Sequence, residues 1–340
     1  MWELVAEYVS FLLKIATLLV AVVLLVITVA AVKRSRDTDE QLQVQELNER
    51  QQDLQEALQE EWLEDKAIKQ LHKERDKQAK AKAASQSTQP RVFVLDFKGD
   101  LDASQAPVLG REISLLLGVL RPEDEVVLRL ESAGGYVHSY GHATAQLQRL
   151  RDKNIALTVC VDRVAASGGY MMACTAAKLL VAPFAVLGSI GVVAEVPNVH
   201  RLLKKHEVDY EVLTAGDYKR TLTVFGENTP EGKQKFLDDL EQTHQMFKSY
   251  VKRCRPQLDI EKVAKGEVWY GEQALDLQLV DALQTSEAYL LERQETARVF
   301  KVRLKKTLNL TEKIAGQTAS VLEGRLLSWL PKLQATFFHR

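Results

Sequence analysis

Cysteine is nearly absent from this 340-residue chain: Cys160, Cys174 and Cys254 are the only three, with no CxxC pair and no zinc-ligand spacing. An odd, sparse set excludes a disulfide framework and points to reduced or buried thiols. Net charge is also close to absent, −1 in total. The molecule as a whole is therefore no electrostatic binder of nucleic acid. No Walker A, GxGxxG or HExxH pattern occurs, which removes the sequence basis for P-loop, dinucleotide-binding and zincin chemistry. No internal repeat is visible at solenoid periods.

What is present is unevenly distributed. Ile15 to Val32 is an uncharged apolar run of 18 residues, the lower length limit for a membrane-spanning helix. Trp2 and Tyr8 fit an aromatic belt before it. Lys33, Arg34 and Arg36 follow it, which by the positive-inside rule places the rest in the cytoplasm. A cleaved signal peptide is the rival reading. The run is long for one, the basic n-region is nearly missing, and Thr28-Val29-Ala30 is a weak cleavage pattern. Residues 1–36 are thus expected to be an uncleaved transmembrane anchor.

Residues 37–90 read as a charged helical spacer and linker. Asp37 to Asp65 is acidic and Gln-rich, Lys66 to Lys82 is basic, and Ser85 to Pro90 has linker composition. Val44, Leu47, Leu54 and Leu58 keep part of a heptad, compatible with a short coiled coil. A solvated charged spacer is the simpler alternative.

From Arg91 the pattern becomes globular, and residues 91–295 are expected to form one domain. Strand candidates are Val92–Phe97, Glu125–Leu130, Ala156–Val161, Leu179–Ala182 and Val208–Thr214. Helical periodicity covers Ala106–Leu120, Val137–Asp152, a segment opening at Ser167, and Pro230–Cys254. Alternating strands and helices predict an α/β fold with a mostly parallel sheet. Residues 296–340 form a basic amphipathic tail, fit either for a membrane surface or for a packing helix.

The segment Val164-Ala165-Ala166-Ser167-Gly168-Gly169-Tyr170 carries the strongest chemical signal. A serine among small residues at a strand-to-helix turn can present its hydroxyl, and the following amide can face a developing oxyanion. The same serine also suits a plain N-cap. Lys219, in the Ala215-Gly216-Asp217-Tyr218 turn, is the candidate base. An ordinary lysine has a pKa of about 10.4, whereas a base works best at roughly 7–8. That difference is about 4 kcal/mol of bias against the charged form, which burial in an apolar cleft supplies. Outside such a cleft Lys219 is a solvated surface lysine. Ser132-Ala133-Gly134-Gly135 can turn backbone amides into a cleft or serve as a simple turn. Ser189, in Gly188-Ser189-Ile190-Gly191, is either an orienting hydroxyl or a loop residue. His138 and His142 keep a histidine base open as an alternative.

Taken in order, Leu130 to Gly135, Val164 to Ala173, Gly188 to Val192 and Gly216 to Arg220 resemble the signal peptide peptidase A family of serine peptidases, family S49. Val268 to Ala274 and Leu279-Val280-Asp281 fit the same pattern. The resemblance covers roughly residues 91–290. It implies a crotonase-like, ClpP-like fold around a spiralled sheet. It implies Ser167 as nucleophile, Lys219 as general base, Ser189 as the hydroxyl that orients Lys219, and Gly134 with Gly168 as the oxyanion hole. It implies no cofactor and no metal. Family members cut apolar peptides and assemble into rings or domes, in some of which serine and lysine come from neighbouring subunits. Two departures are the Ala133 in place of the usual proline and the Gln278 in place of the usual glycine. Neither removes a chemical group.

The sequence is therefore expected to encode a serine endopeptidase of the bacterial inner membrane. Its partners would be unfolded or apolar peptide substrates such as signal-peptide remnants or damaged membrane-protein segments, the lipid bilayer, and further copies of itself, with no nucleic acid. The family analogy favours a catalytic domain outside the cytoplasm and the basic flank favours the inside. A non-catalytic membrane scaffold and a crotonase-type acyl-CoA enzyme are the rivals.

Overall fold

The computed structural model describes residues 14–15, 17–19, 40–70, 72–75 and 89–306. The apolar run expected to cross the membrane lies almost wholly outside these residues, as does the tail beyond 306. No helix among the described residues is long and apolar enough to span a bilayer. Residues 44–303 form one compact unit, which contains every candidate site residue.

In chain order the elements are β1 (Glu40–Glu46), α1 (Leu47–Glu60), β2 (Arg91–Lys98), α2 (Ala106–Leu117), β3 (Glu125–Glu131), α3 (Val137–Asp152), β4 (Ala156–Val161), β5 (Val164–Ala166) and α4 (Gly168–Ala173). They continue with β6 (Lys178–Val181), β7 (Val186–Gly188), α5 (His200–Lys205), α6 (Pro230–Cys254), α7 (Ile260–Val263), β8 (Val268–Tyr270), α8 (Gly271–Asp276), β9 (Ala282–Leu283), α9 (Ser286–Thr296) and β10 (Arg298–Lys306).

The strands β2, β3, β4 and β6 are near-continuous apolar runs because both faces of the sheet are covered. They pair in parallel in that order. The full seven-stranded sheet runs β1-β10-β2-β3-β4-β6-β9. Phe93, Leu95 and Phe97 share one core cluster with Leu109 and Ile113 of α2 and Tyr140 and Leu147 of α3. Val92 and Val94 point the other way, into a smaller cluster with Tyr289 and Leu290 of α9. The period of two along β2 thus assigns alternate residues to two layers of helices.

A second sheet, β5-β7-β8, gives the fold its step. β4 is followed at once by β5, and β6 by β7. β4 pairs with β6 and β5 with β7, both in parallel. The end of β3 joins the same layer through a parallel bridge between Ser132 and Ala165. The chain therefore repeats a strand in the large sheet and a short extended segment in the small one, with α3 following the first repeat and α4 the second. The result is a mixed α/β fold with a parallel-rich sheet.

α3 and α6 have the bounds their periodicity predicts. α6 is fixed at its start by Thr229, whose side chain accepts from the Gly232 amide at 3.0 Å, and by Pro230 in the first turn. Other expectations are corrected. Val208–Thr214 is not a strand but exposed irregular backbone with no ladder partner among the described residues. Its alternation instead brings Tyr210 against Phe225, ring centroids 5.5 Å apart. The first part of the polar spacer belongs to the fold. Asn48 donates to the carbonyls of Gln294 and Ala297 and accepts from the Val299 amide, and Arg298 forks onto Glu46. Arg298–Lys306, read from the sequence as tail, is the strand next to β2. All three cysteines are free and buried.

Candidate active site

The small sheet places Ser167. Ala166 ends β5 opposite Gly188, and the Ser167 amide continues the ladder by donating to the Gly188 carbonyl at 2.8 Å. The chain must then turn sharply from strand into α4, and Ser167 takes φ 53°, ψ −121° to do it. A non-glycine residue at positive φ is strained and needs its surroundings to hold it there. Ser167 stands at the N-cap of α4, but its hydroxyl makes no capping bond. Among the described residues the side chain has no hydrogen-bond partner, and it lines the adjoining cavity.

The glycines after it are dictated by close approach. A Cβ on Gly168 would collide with the ring of Tyr140, and one on Gly169 would stand 2.5 Å from the Ser132 carbonyl oxygen. Across the turn lies Gly134, at φ 91°. A Cβ there would be 2.7 Å from the Ser167 Cβ and 2.8 Å from the Gly168 nitrogen. The structure thus brings Ser167, Gly134 and Gly168 together. The Gly134 amide, however, donates to the Ser132 hydroxyl at 3.0 Å. The amides of Gly135 and Gly168 have no acceptor among the described residues.

Ser167, Gly168 and Gly135 open on a cavity of about 980 Å³ between α3 and α6. Val137, Met171, Val192, Met246 and Phe247 give it apolar walls, and Gln148, Asp152 and Arg253 also line it. Thr144 lines it as well, buried, with a hydroxyl that has no partner among the described residues. Tyr170 and Met172 are core, whereas Met171 faces the cavity. The walls from α3 and α6 were not singled out in the sequence. Their signal was the apolar face of two long amphipathic helices, which reads equally well as core.

Ser189 follows Gly188, half-buried at φ 49°, with its amide held by the Glu267 carbonyl at 2.6 Å. Lys219 is not brought to Ser167. It is exposed, its amide donates to the Gly216 carbonyl at 3.2 Å, and its amine makes no hydrogen bond or ion pair among the described residues. The segment around it carries exposed apolar side chains, among them Leu213 at 90% and Tyr218 at 65% exposure. His138 and His142 are exposed on α3. His244 instead bridges the carbonyls of Ile190 and Ala264, at 3.1 and 2.9 Å, and so pins the loop after Ser189.

The later sequence signals are structural. Asp281 accepts a two-pronged contact from Arg255 at 2.9 and 2.8 Å and a bond from the Leu179 amide at 2.6 Å. Tyr170 donates its hydroxyl to the Leu279 carbonyl at 2.8 Å, tying α4 to that corner. The Gln273 side chain accepts from the Tyr270 amide at 3.1 Å at the start of α8.

Comparison with known proteins gives two consecutive family matches. The model described as Peptidase family S49 N-terminal matches residues 3–147, and that described as Peptidase family S49 matches residues 149–299. The chain is 61% identical over 219 residues to the Probable protease SohB of Haemophilus influenzae, covering 64% of this chain and 62% of that protein. It is 49% identical over 237 residues to the Probable protease SohB of Buchnera aphidicola, covering 70% of each. The matched stretch therefore spans less than two thirds of the Haemophilus relative.

Proposed function

The chain belongs to peptidase family S49, and on that premise we propose that it is a membrane-anchored serine endopeptidase acting on apolar peptides. The observation that carries the reading is Ser167. It is held at positive φ on the rim of an apolar cavity, and among the described residues its hydroxyl has no partner and the two neighbouring backbone amides have no acceptor.

In the proposed reaction a neutral Lys219 takes the Ser167 proton as Oγ bonds to the scissile carbonyl carbon. The amides of Gly168 and Gly135 hold the resulting oxyanion. Because the Gly134 amide is committed to Ser132, we take Gly135 as the second donor in place of Gly134, the donor that the family resemblance implied. Lys219 then returns the proton to the leaving amine as the C–N bond breaks. Water attacks the acyl ester, its proton passing by way of Lys219, and Ser167 is regenerated. Ser189, next to the carbonyl that anchors Ser167, orients the lysine. No cofactor or metal takes part in this scheme.

Lys219 becomes a base only where its charge is disfavoured. Its exposure on a segment rich in exposed apolar side chains supports an assembly in which the lysine of one copy meets Ser167 of the next. Met171, Met246 and Phe247 favour apolar substrate side chains, as in signal-peptide remnants or damaged membrane segments. The apolar run at 15–32 is the proposed anchor in a bacterial inner membrane.

The test is cleavage of fluorogenic apolar peptides by the full chain in detergent. Turnover is expected, and Ser167→Ala is expected to remove it. A chain that binds such peptides and never cuts them would be a scaffold, and this reading would be lost.

A further inference from the structure

Ser132 and Tyr140 are buried, at 2% and 0% exposure, and neither lines the cavity. Yet four glycines pack against this pair. A Cβ on Gly99 would collide with both side chains. One on Gly168 would collide with the Tyr140 ring, and one on Gly169 would press on Ser132. Gly134 is tied to Ser132 directly, through its amide.

The hydrogen bonds have one consistent direction. Tyr140 donates its single proton to the Asp100 carbonyl at 2.7 Å. Its oxygen then accepts from the Ser132 hydroxyl at 2.6 Å, and Ser132 Oγ accepts from the Gly134 amide at 3.0 Å. Burial, the leading cause, raises the Tyr140 pKa, so the phenol keeps its proton through the physiological range. Every member of the chain is satisfied, and each bond polarises the next. The Ser132 backbone works on the other side of the site. Its amide donates to the Val164 carbonyl at 2.9 Å and its carbonyl accepts from the Ala166 amide at 3.0 Å, which locks the strand leading into Ser167.

We propose that Ser132 and Tyr140 are positioning residues for the oxyanion site. Their hydrogen-bonded chain fixes the turn that carries Gly135, while the Tyr140 ring seats Gly168, so one buried tyrosine sets the distance between the two donors. The inference deepens the peptidase reading and rests on it. A hydroxyl outside the cavity acts here through geometry alone, because donors must meet the oxyanion at hydrogen-bond distance to stabilise it.

Tyr140→Phe keeps the ring and removes one atom, and Ser132→Ala removes the acceptor for Gly134. Both are measured in the full chain in detergent, on an apolar fluorogenic peptide and on a peptide boronate that forms a tetrahedral adduct with Ser167. The expected result is a kcat lower by ~10-fold or more. KM should stay within about twofold, and boronate affinity should weaken by the same factor as kcat/KM. A merely structural role would lower the melting temperature and leave kcat and boronate affinity of the folded protein unchanged, and that outcome overturns the proposal. If Ser132→Ala does not fold, Tyr140→Phe decides alone. Wild-type cleavage that survives Ser167→Ala would instead defeat the peptidase reading. The two failures are therefore distinguishable.

Discussion

The amide of Ser167 donates to the carbonyl of Gly188 at 2.8 Å, one step beyond the last paired residues of β5 and β7. This bond carries the small sheet's register into the site. It fixes where the strand must break into α4, and it places Ser189 immediately after the carbonyl that anchors Ser167. The positive φ of Ser167 is the local cost of that turn.

The glycines at the site and on α3 should respond oppositely to a methyl group. Gly168→Ala drives a Cβ into the Tyr140 ring and is expected to cost about 2 kcal/mol. That corresponds to a melting temperature lower by ~4–8 °C. Gly141→Ala, inside α3 with nothing within 4 Å of the new Cβ, is expected to stabilise by about 0.5–1 kcal/mol. Thermal unfolding of the two variants checks both signs.

Acid should act through Asp124. Its buried carboxylate accepts from the Arg91 guanidinium at 3.1 and 2.5 Å and from the amides of Arg91 and Arg121 at 3.2 and 2.7 Å. Burial pushes its pKa up, but these donors prevail and the net shift is downward. A carboxyl whose folded pKa lies below its unfolded value of about 3.9 contributes fully above that value. The contribution is lost as pH falls through the folded pKa. Asp124→Asn is expected to cost about 2 kcal/mol near neutrality. Denaturant titrations against pH should show the gap to wild type closing below about pH 4.

Sharing of the site between copies is open to complementation. Ser167→Ala and Lys219→Ala are each expected to be inactive when pure. Dissociated, mixed in equal amounts and reassembled, they should recover about a quarter of wild-type activity, because that share of interfaces pairs an intact serine with an intact lysine. No recovery would place both residues of each site in one chain.

Legibility in the sequence followed how local each signal was. α3 and α6 were legible because helical periodicity and caps such as Thr229 with Pro230 are local. The parallel core was legible because its strands are buried on both faces. β5 and β7 were not, since three residues give no pattern to read. β1 escaped because its side chains are mostly exposed and polar, and it read as spacer. Val208–Thr214 misled because alternation reports a face, and the face here meets Phe225 rather than a sheet. Within the site, Ser167 and Gly168 stood out. That the Gly134 amide is taken up by the Ser132 hydroxyl was not legible, because no local pattern says where that hydroxyl points.

The central claim is that Lys219 activates Ser167. Its most direct test is the rate at which a fluorophosphonate labels Ser167 in the full chain, read by mass spectrometry of the adduct. The account predicts an adduct on Ser167 in wild type, and a rate lower by ~100-fold or more in Lys219→Met, which cannot accept a proton. Labelling of Lys219→Met at the wild-type rate would contradict it.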